Sequence, residues 1–264
     1  MASEIRPPAV AGTFYPAEAD ILRKMVDDFL SSAAPVDVPR HPKAMIAPHA
    51  GYIYSGPTAG CAYALLEAKK VKRVVLLGPT HRVPVYGLAL PDADAFATPL
   101  GEVPLDRDAM ETVRAMPQVQ ISDAAHALEH SLEVQLPFLQ RRLESFTLVP
   151  FAIGQATNEE VAEVLDKLWG DEDTLVVISS DLSHYLPYDV AREVDAETAD
   201  MIVAMRPVIR HEQACGATPV NGLLTTAETH PLSATLVDLR NSGDTAGDKS
   251  QVVGYGAFAF TGHD

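Results

Sequence analysis

Short, continuous apolar runs alternate with amphipathic segments along most of the chain. In the amphipathic segments apolar residues recur at helical spacing, as Leu22, Val26, Phe29 and Leu30 do after Pro16. This spacing predicts helices over 17–31, 57–68, 106–115, 130–143, 158–169, 189–205 and 219–229. The apolar runs predict strands over 43–48, 73–78, 146–153, 174–180, 233–239 and 252–261, with 85–90 as a further candidate.

The alternation of strands and helices is typical of an α/β protein. The last two predicted strands are joined by a polar turn at 241–244, which indicates an antiparallel pair. We therefore predict an α/β fold with a mixed, largely parallel central sheet flanked by helices. The 264 residues contain no internal repeat and no low-complexity linker, so we expect one domain over 1–264.

A strong acidic bias, with a formal net charge of −16, restricts the partners that the chain can bind. Its basic residues are scattered, whereas nucleic-acid binding requires a basic stripe. We expect no binding to nucleic acid or anionic membranes, and no apolar run approaches the roughly 18 residues of a membrane-spanning helix. Residues 1–8 lack the apolar centre of a signal peptide, and only Cys61 and Cys215 could form a disulfide. These features predict a cytoplasmic protein.

Three histidines each follow an apolar, strand-like run by a few residues. His49 follows the strand predicted at 43–48, and His81 and His184 follow two later ones. In an open parallel sheet the carboxyl ends of the strands line one crevice, where ligands bind. The three imidazoles can therefore meet in space, and imidazole serves both as a metal ligand and as a general base. The pattern predicts a metal site or an acid–base site at this edge of the sheet.

Asp181 and Cys215 add further chemistry near the same edge. Asp181 precedes His184 by three residues, a spacing at which its carboxylate either orients the imidazole or caps the following turn. Cys215 stands before a glycine in a stretch with little helical pattern, which favours a functional thiol. Cys61 lies among alanines in a predicted helix and should pack as a small hydrophobic residue.

A second interpretation starts from residues 126–130, whose sequence His-Ala-Leu-Glu-His matches the H-x-x-E-H motif of a class of zinc peptidases. That motif needs one continuous helix with His126 and His130 on the same face, and Ser122 could cap such a helix. The peptidase alternative leaves the strand-end histidines without a role. We favour the interpretation that Glu129 and His130 lie at the start of a helix and face the crevice, with His126 outside it.

Six motifs occur in order across nearly the whole chain. They are Ala-Gly-Thr-Phe-Tyr-Pro at 11–16, Pro-His-Ala-Gly-Tyr-Ile-Tyr-Ser-Gly at 48–56, Gly-Pro-Thr-His at 78–81, Glu-His-Ser-Leu-Glu-Val-Gln-Leu-Pro-Phe at 129–138, Ser-Ser-Asp-Leu-Ser-His at 179–184 and Cys-Gly at 215–216. Together they resemble the Memo family, whose bacterial and archaeal members are labelled AmmeMemoRadiSam system protein B. That family in turn resembles the class III extradiol dioxygenases, which hold non-haem iron with two histidines and a glutamate. The resemblance implies the same α/β fold.

The resemblance also implies roles for individual residues. The implied metal ligands are His49, His81 and Cys215. The implied catalytic residues, which would line the same pocket, are Glu129, Asp181 and His184. A cysteine replaces the dioxygenase carboxylate, a change that the Memo family shares. The resemblance implies iron(II), while two histidines and a thiolate also suit zinc or copper.

Two functions are compatible with these residues. One is an oxygen- or redox-dependent enzyme that acts on a small substrate at an iron centre, with His184 as the acid–base group. The other is a non-catalytic module that binds a metal or a peptide, since eukaryotic relatives are associated with signalling and motility. The expected ligand in the strand-end pocket is a small molecule or a peptide. Family association implies AMMECR-domain and radical SAM proteins as partners.

Overall fold

The computed structural model describes residues 4–262 of the chain. The helices are α1 Ala19–Ser31, α2 Tyr52–Ala64, α3 Arg107–Val113, α4 Asp123–Ala127, α5 Leu136–Arg142, α6 Asn158–Leu168, α7 Tyr188–Val203 and α8 Ala217–Thr226, with 3₁₀ turns at Glu133–Gln135 and Ser242–Asp244. The strands are β1 Ile5–Arg6, β2 Ala44–Ala47, β3 Arg73–Pro79, β4 Leu88–Leu90, β5 Ala95–Thr98, β6 Gly101–Pro104, β7 Val119–Ile121, β8 Thr147–Ile153, β9 Thr174–Ser179, β10 His184–Leu186, β11 Leu232–Asn241 and β12 Val252–Gly262.

The large sheet has a parallel centre and antiparallel flanks. Its strand order is β10-β12-β2-β9-β3-β8-β4-β7, and β11 pairs with β12. The central strands β2, β9, β3 and β8 run parallel, whereas β12 is antiparallel to β2 and to β11. This arrangement confirms the predicted α/β fold with a mixed central sheet flanked by helices.

The central strands are buried along almost their whole length, as both faces of a parallel sheet are covered. That burial explains why they appear in the sequence as unbroken apolar runs rather than as alternating patterns. Because β2, β3 and β9 run parallel, the segments after Ala47, Pro79 and Ser179 leave the sheet at the same edge. The edge that carries His49 and His81 is therefore a direct product of the sheet's connectivity.

Helix α2 begins at Tyr52, more than a turn before the predicted start near Pro57. Gly51 acts as the N-cap of α2, and the backbone N–H of Ser55 donates a hydrogen bond of 3.1 Å to its carbonyl. Glycine is required at Gly56 because a Cβ there would lie 2.3 Å from Cε2 of Phe29 on α1. The small residues thus serve close helix packing, a requirement that local patterning does not reveal.

The helix predicted over 130–143 divides into a loop, the 3₁₀ turn at Glu133–Gln135 and helix α5. The N–H groups of His130 and Ser131 bond to the side chain of Glu129, each at 2.9 Å. Pro137 lies in the first turn of α5, where the N–H that proline lacks would have no helical partner.

A small second sheet, of order β1-β5-β6, was not predicted from the sequence. Its strands span two to four residues, too short for a periodic signal. The strand β1 pairs in parallel with β5 and brings the N-terminal residues beside the loop after α4. Within residues 4–262, no helix has the length and apolar character needed to cross a membrane.

Candidate metal centre

Three imidazole rings meet at the carboxyl edge of the central sheet. One ring nitrogen from each of His49, His81 and His130 lies within 4.8 Å of the others. The ring centroids are separated by 5.2 Å for His49 and His81, 5.4 Å for His49 and His130, and 4.6 Å for His81 and His130. The expected convergence of the two strand-end histidines is thus observed, and His130 joins them from the loop before the 3₁₀ turn.

The buried ring of His49 is oriented through Ser179 at the end of β9. Its Nδ1 lies 2.9 Å from Ser179 Oγ, which also donates to the Ser131 carbonyl at 2.6 Å. The Gln135 amide donates a further bond of 2.8 Å to the same oxygen. Since the single hydroxyl proton is given to a carbonyl, we assign the His49 proton to Nδ1. The lone pair of Nε2 then faces the site.

The electrostatic setting of His49 keeps its ring neutral. Burial, reinforced by the nearby His81, lowers the pKa of His49 to about 3. Its backbone N–H donates to Asp181 Oδ1 at 2.7 Å, which anchors the residue after β2. A neutral imidazole is the form that binds a metal ion.

The half-exposed side chain of His81 is held by the buried carboxylate of Glu129. His81 donates to it twice, from the backbone N at 2.6 Å and from Nδ1 at 2.9 Å. With the two further N–H donors described above, the carboxylate accepts four hydrogen bonds. Burial alone would raise the pKa of Glu129, but the bonds to His81 and the backbone outweigh it and lower the pKa to about 2. Glu129 is therefore an orienting carboxylate behind a histidine, the usual companion of a metal-binding imidazole.

The ring of His130 carries a buried nitrogen without a hydrogen-bond partner, Nδ1. That atom lies 3.3 Å from Glu129 Oε1 without hydrogen-bond geometry. Burial lowers the pKa of His130 to about 4, so the ring is neutral near pH 7. Phe14 packs against it with a centroid distance of 4.6 Å. From the sequence we placed His130 in the pocket but outside the ligand set, whereas the geometry places it among the candidate ligands.

The thiol of Cys215 lies beside His49. Its Sγ is 3.3 Å from His49 Nε2 and 3.7 Å from the Asp181 carbonyl. The approach depends on Gly216, because a Cβ there would lie 2.6 Å from the Cβ of Ser180. Burial and the nearby Asp181 carboxylate raise the pKa of the Cys215 thiol to about 12. Cys61 is buried within α2, as expected of a small packing residue.

Asp181 and His184 lie close to these residues, but no hydrogen bond of the described residues joins the Asp181 carboxylate to the His184 ring. Asp181 bonds to the His49 backbone. His184 begins β10 and is partly exposed, near enough that its charge lowers the pKa of His49. Tyr185, which follows it, has a φ of 57°, an uncommon backbone conformation for a non-glycine residue.

The helix that the H-x-x-E-H motif would require is absent from the described residues, since α4 ends at Ala127. His126 bonds through Nε2 to the Ala89 carbonyl at 2.9 Å and packs on Phe96 at 5.7 Å. The ring lies outside the three-histidine cluster, as we expected. Ser122 does cap the short helix, accepting from Ala125 N at 3.3 Å.

A cavity of about 680 Å³ opens beside Cys215, between the ends of β3 and β8 and the start of α8. Its walls include Thr80, Tyr86, Gln155 and His211. Thr80 directly precedes His81, so the cavity adjoins the histidine cluster. Its volume is in the range that accommodates a small organic molecule.

Two residues of the site, Ser179 and Gln135, were not identified from the sequence. Both lie inside quoted motifs, but serine and glutamine carry no distinctive signal for an orienting role. Gln135 is positioned by Tyr63, which donates to its Oε1 at 2.7 Å, and by its own bond of 3.0 Å to the Pro48 carbonyl. Such a network becomes visible only once three separate segments are packed together.

The fold and the site define an α/β protein with a histidine-rich candidate metal site at the strand ends. The family model described as "Memo-like protein" matches residues 6–259. A "MEMO1 family protein" of Aquifex aeolicus is 38% identical over 268 residues, covering 95% of this chain and 97% of the relative. One from Archaeoglobus fulgidus is 37% identical over 271 residues, covering 97% and 99%. The chain belongs to the Memo-like family, which confirms the resemblance drawn from its motifs.

Proposed function

We propose that this protein binds a divalent metal ion through His49 and His81, with Cys215 and His130 completing the donor set. The observation that carries the proposal is the convergence of three imidazoles, each with one ring nitrogen within 4.8 Å of the others. The donor chemistry fits a metal, because His49 Nε2 is contacted by the Cys215 thiol, itself a possible ligand, and His130 has an unpartnered buried nitrogen. The Glu129 carboxylate supports His81 as such carboxylates do at metal sites.

The distance from His49 supports Cys215 as the thiolate ligand, although its Sγ lies outside the group of atoms within 4.8 Å that the three histidines form. Nitrogen and sulfur ligands of one tetrahedral metal, at about 2.1 Å and 2.3 Å, lie about 3.5 Å apart. The separation of 3.3 Å between His49 Nε2 and Cys215 Sγ is close to that value. The raised pKa of the thiol describes the protein without metal, since a bound cation favours the thiolate. Glu129 is a poorer ligand because its carboxylate already accepts four hydrogen bonds.

For the metal we propose iron(II), on the resemblance to class III extradiol dioxygenases. Histidine and thiolate donors also suit zinc and copper, so the identity rests on the family and not on the donor types. A bound iron ion would supply redox chemistry and polarise a coordinated substrate. In this proposal His184, which is close enough to His49 to affect its pKa, transfers a proton to or from a small substrate at the metal, and Asp181 holds the His49 backbone.

The cavity beside Cys215 favours a small-molecule enzyme over a non-catalytic module, because it leaves room next to the proposed ligands. A module that only stores metal or holds a peptide is the alternative, and it would bind the ion without consuming oxygen or turning over a substrate. By family association we also propose AMMECR-domain and radical SAM proteins as partners. Co-purification of tagged protein with either class tests that association.

Metal analysis after anaerobic purification tests the proposal directly. We expect close to one metal ion per chain in the wild type and almost none in a His49→Ala/His81→Ala variant. A His41→Ala/His230→Ala variant is the matched control, because both residues line a separate cavity at the opposite end of the sheet. Full metal occupancy in the His49/His81 variant would reject the assignment. Oxygen uptake by the iron-loaded protein would then separate the enzyme from the binding module.

A further inference from the structure

The side chain of Arg6 joins the N-terminal segment, defined here as residues 5–15, to the loop that carries Glu129 and His130. Only 7% of Arg6 is exposed, and its guanidinium donates three hydrogen bonds. Nε donates to the His126 carbonyl at 3.0 Å, and Nη2 donates to the Glu129 carbonyl at 2.7 Å. Nη1 pairs with the buried carboxylate of Glu133. One planar group therefore spans both ends of the 126–133 loop.

Glu133 fastens the rest of the N-terminal segment to the same place. Its carboxylate accepts from the backbone N of Ala9 at 2.7 Å and of Val10 at 3.0 Å. The hydroxyl of Tyr15 donates to it at 2.5 Å. With Arg6, this fully buried carboxylate has four donors, so neither its charge nor its oxygens are left unsatisfied.

The segment held in this way contacts the metal centre itself. Phe14 packs on the ring of His130, and its carbonyl accepts from the backbone N of Tyr52 at 2.8 Å. Arg6 holds the carbonyl of Glu129, whose side chain in turn holds His81. The N-terminal segment therefore acts on two of the three histidines, one through a ring contact and one through the backbone of the loop.

We propose that Arg6 is a positioning residue of the metal centre, which sets His81 and His130 by holding the 126–133 loop and docking Phe14 on the His130 ring. The inference rests on the metal site proposed above. Arginine suits this task because its rigid fork reaches two carbonyls and a carboxylate at once, whereas lysine provides a single charged point. Arg6→Lys keeps the charge next to Glu133 but cannot reproduce the fork.

Cobalt(II) titration under anaerobic conditions tests the proposal, because the visible absorption of the ion reports its coordination geometry. In Arg6→Lys we expect about a tenfold or greater loss of cobalt affinity, as for other residues that orient metal ligands, together with an altered spectrum. Arg73→Lys is the matched control, since Arg73 also pairs with a carboxylate, at 2.7 Å from Asp106, but at the opposite end of β3 from His81. It should lower thermal stability without altering the cobalt spectrum.

Phe14→Leu provides an independent test that does not disturb the buried ion pair. We expect it to change the cobalt spectrum and weaken binding, whereas Phe146→Leu, at a half-buried phenylalanine near the amino end of β8, should do neither. If Arg6→Lys does not fold, the comparison of Phe14→Leu with Phe146→Leu tests the proposal instead. Wild-type protein that does not bind cobalt would overturn both the metal site and this inference. Wild-type protein that binds cobalt, with variants of unchanged affinity and spectrum, would overturn this inference alone.

Discussion

Glu129 binds His81 twice, through the backbone N–H and through Nδ1 of the ring, so that one carboxylate determines both the position and the tautomer of the residue. The Nδ1 proton is committed to the carboxylate, and Nε2 is the nitrogen left for a ligand. Glu129 therefore orients His81, a proposed metal ligand, and is not itself a proposed ligand.

Glu129→Gln should weaken metal binding by about 10–100-fold, the usual range for a carboxylate that orients a metal-bound histidine. Glutamine has one acceptor oxygen and cannot receive all four donors that the carboxylate holds. Calorimetric titration with zinc measures the change. Glu163→Gln is the control, because that exposed carboxylate accepts one bond of 2.9 Å from Gln118 away from the site. Equal affinities in the two variants would contradict the orienting role.

Ser179→Ala should lower metal affinity by about tenfold, since it removes the acceptor that keeps the His49 proton on Nδ1. The ring could then protonate on Nε2, the nitrogen that faces Cys215. Nitrogen NMR of the imidazole measures the tautomer, and competition with a chelator measures the affinity. Thr226→Val, which removes a buried hydroxyl on α8 bonded to Gly222, should leave both unchanged. A His49 ring that keeps its tautomer in Ser179→Ala would argue against the assignment.

Metal binding at pH 7 should release about one proton from Cys215. The thiol is protonated in the metal-free protein, where burial raises its pKa to about 12, and it must ionise to become a ligand. His49 and His130 are already neutral, because burial lowers their pKa values to about 3 and about 4. Calorimetry in buffers of different ionisation enthalpy counts the protons. In Cys215→Ala the release should vanish, while His130→Ala should retain it. No release from the wild type would favour His130 as the third ligand.

The stability of the metal-free protein should fall as the pH drops below about 6.5. In the folded protein the pKa values of His49 and His130 are about 3 and about 4, below the ordinary value of 6.5. Between these values the two histidines are protonated in the unfolded chain but neutral in the folded chain, which favours unfolding as the pH falls. Their contribution is complete above pH 6.5 and is lost between pH 6.5 and about 3. Glu129, with a pKa lowered to about 2, adds a loss that begins near pH 4.5.

Urea unfolding at a series of pH values measures this dependence. The slope of the unfolding free energy against pH gives the difference in bound protons between the unfolded and folded chains. Near pH 5 the two histidines can contribute up to about two protons to that difference. We expect His49→Gln/His130→Gln to flatten that slope, whereas the exposed His211→Gln should leave it unchanged. An equally steep slope in the double variant would show that other groups cause the acid sensitivity.

The sequence by itself determined the class of fold, the family and the edge at which the site forms. Buried parallel strands need both faces covered, so they appear as unbroken apolar runs, and His49 and His81 follow such runs directly. Cys215 was predicted as a functional thiol because it precedes a glycine in an irregular segment, and the structure places its Sγ beside His49. Apolar runs and a Cys-Gly pair are local features of the sequence, so they can be recognised without knowing how distant segments pack.

Only the tertiary structure decided which groups face one another. The Glu129 side chain accepts from the N–H groups of His130 and Ser131 in the loop that places His130 in the cluster. Asp181 bonded to His49 and not to His184, because β2 and β9 are neighbours in the sheet. Arg6 reached the 126–133 loop across more than a hundred residues of chain. Such long-range hydrogen bonds depend on three-dimensional proximity, which no spacing along the sequence encodes.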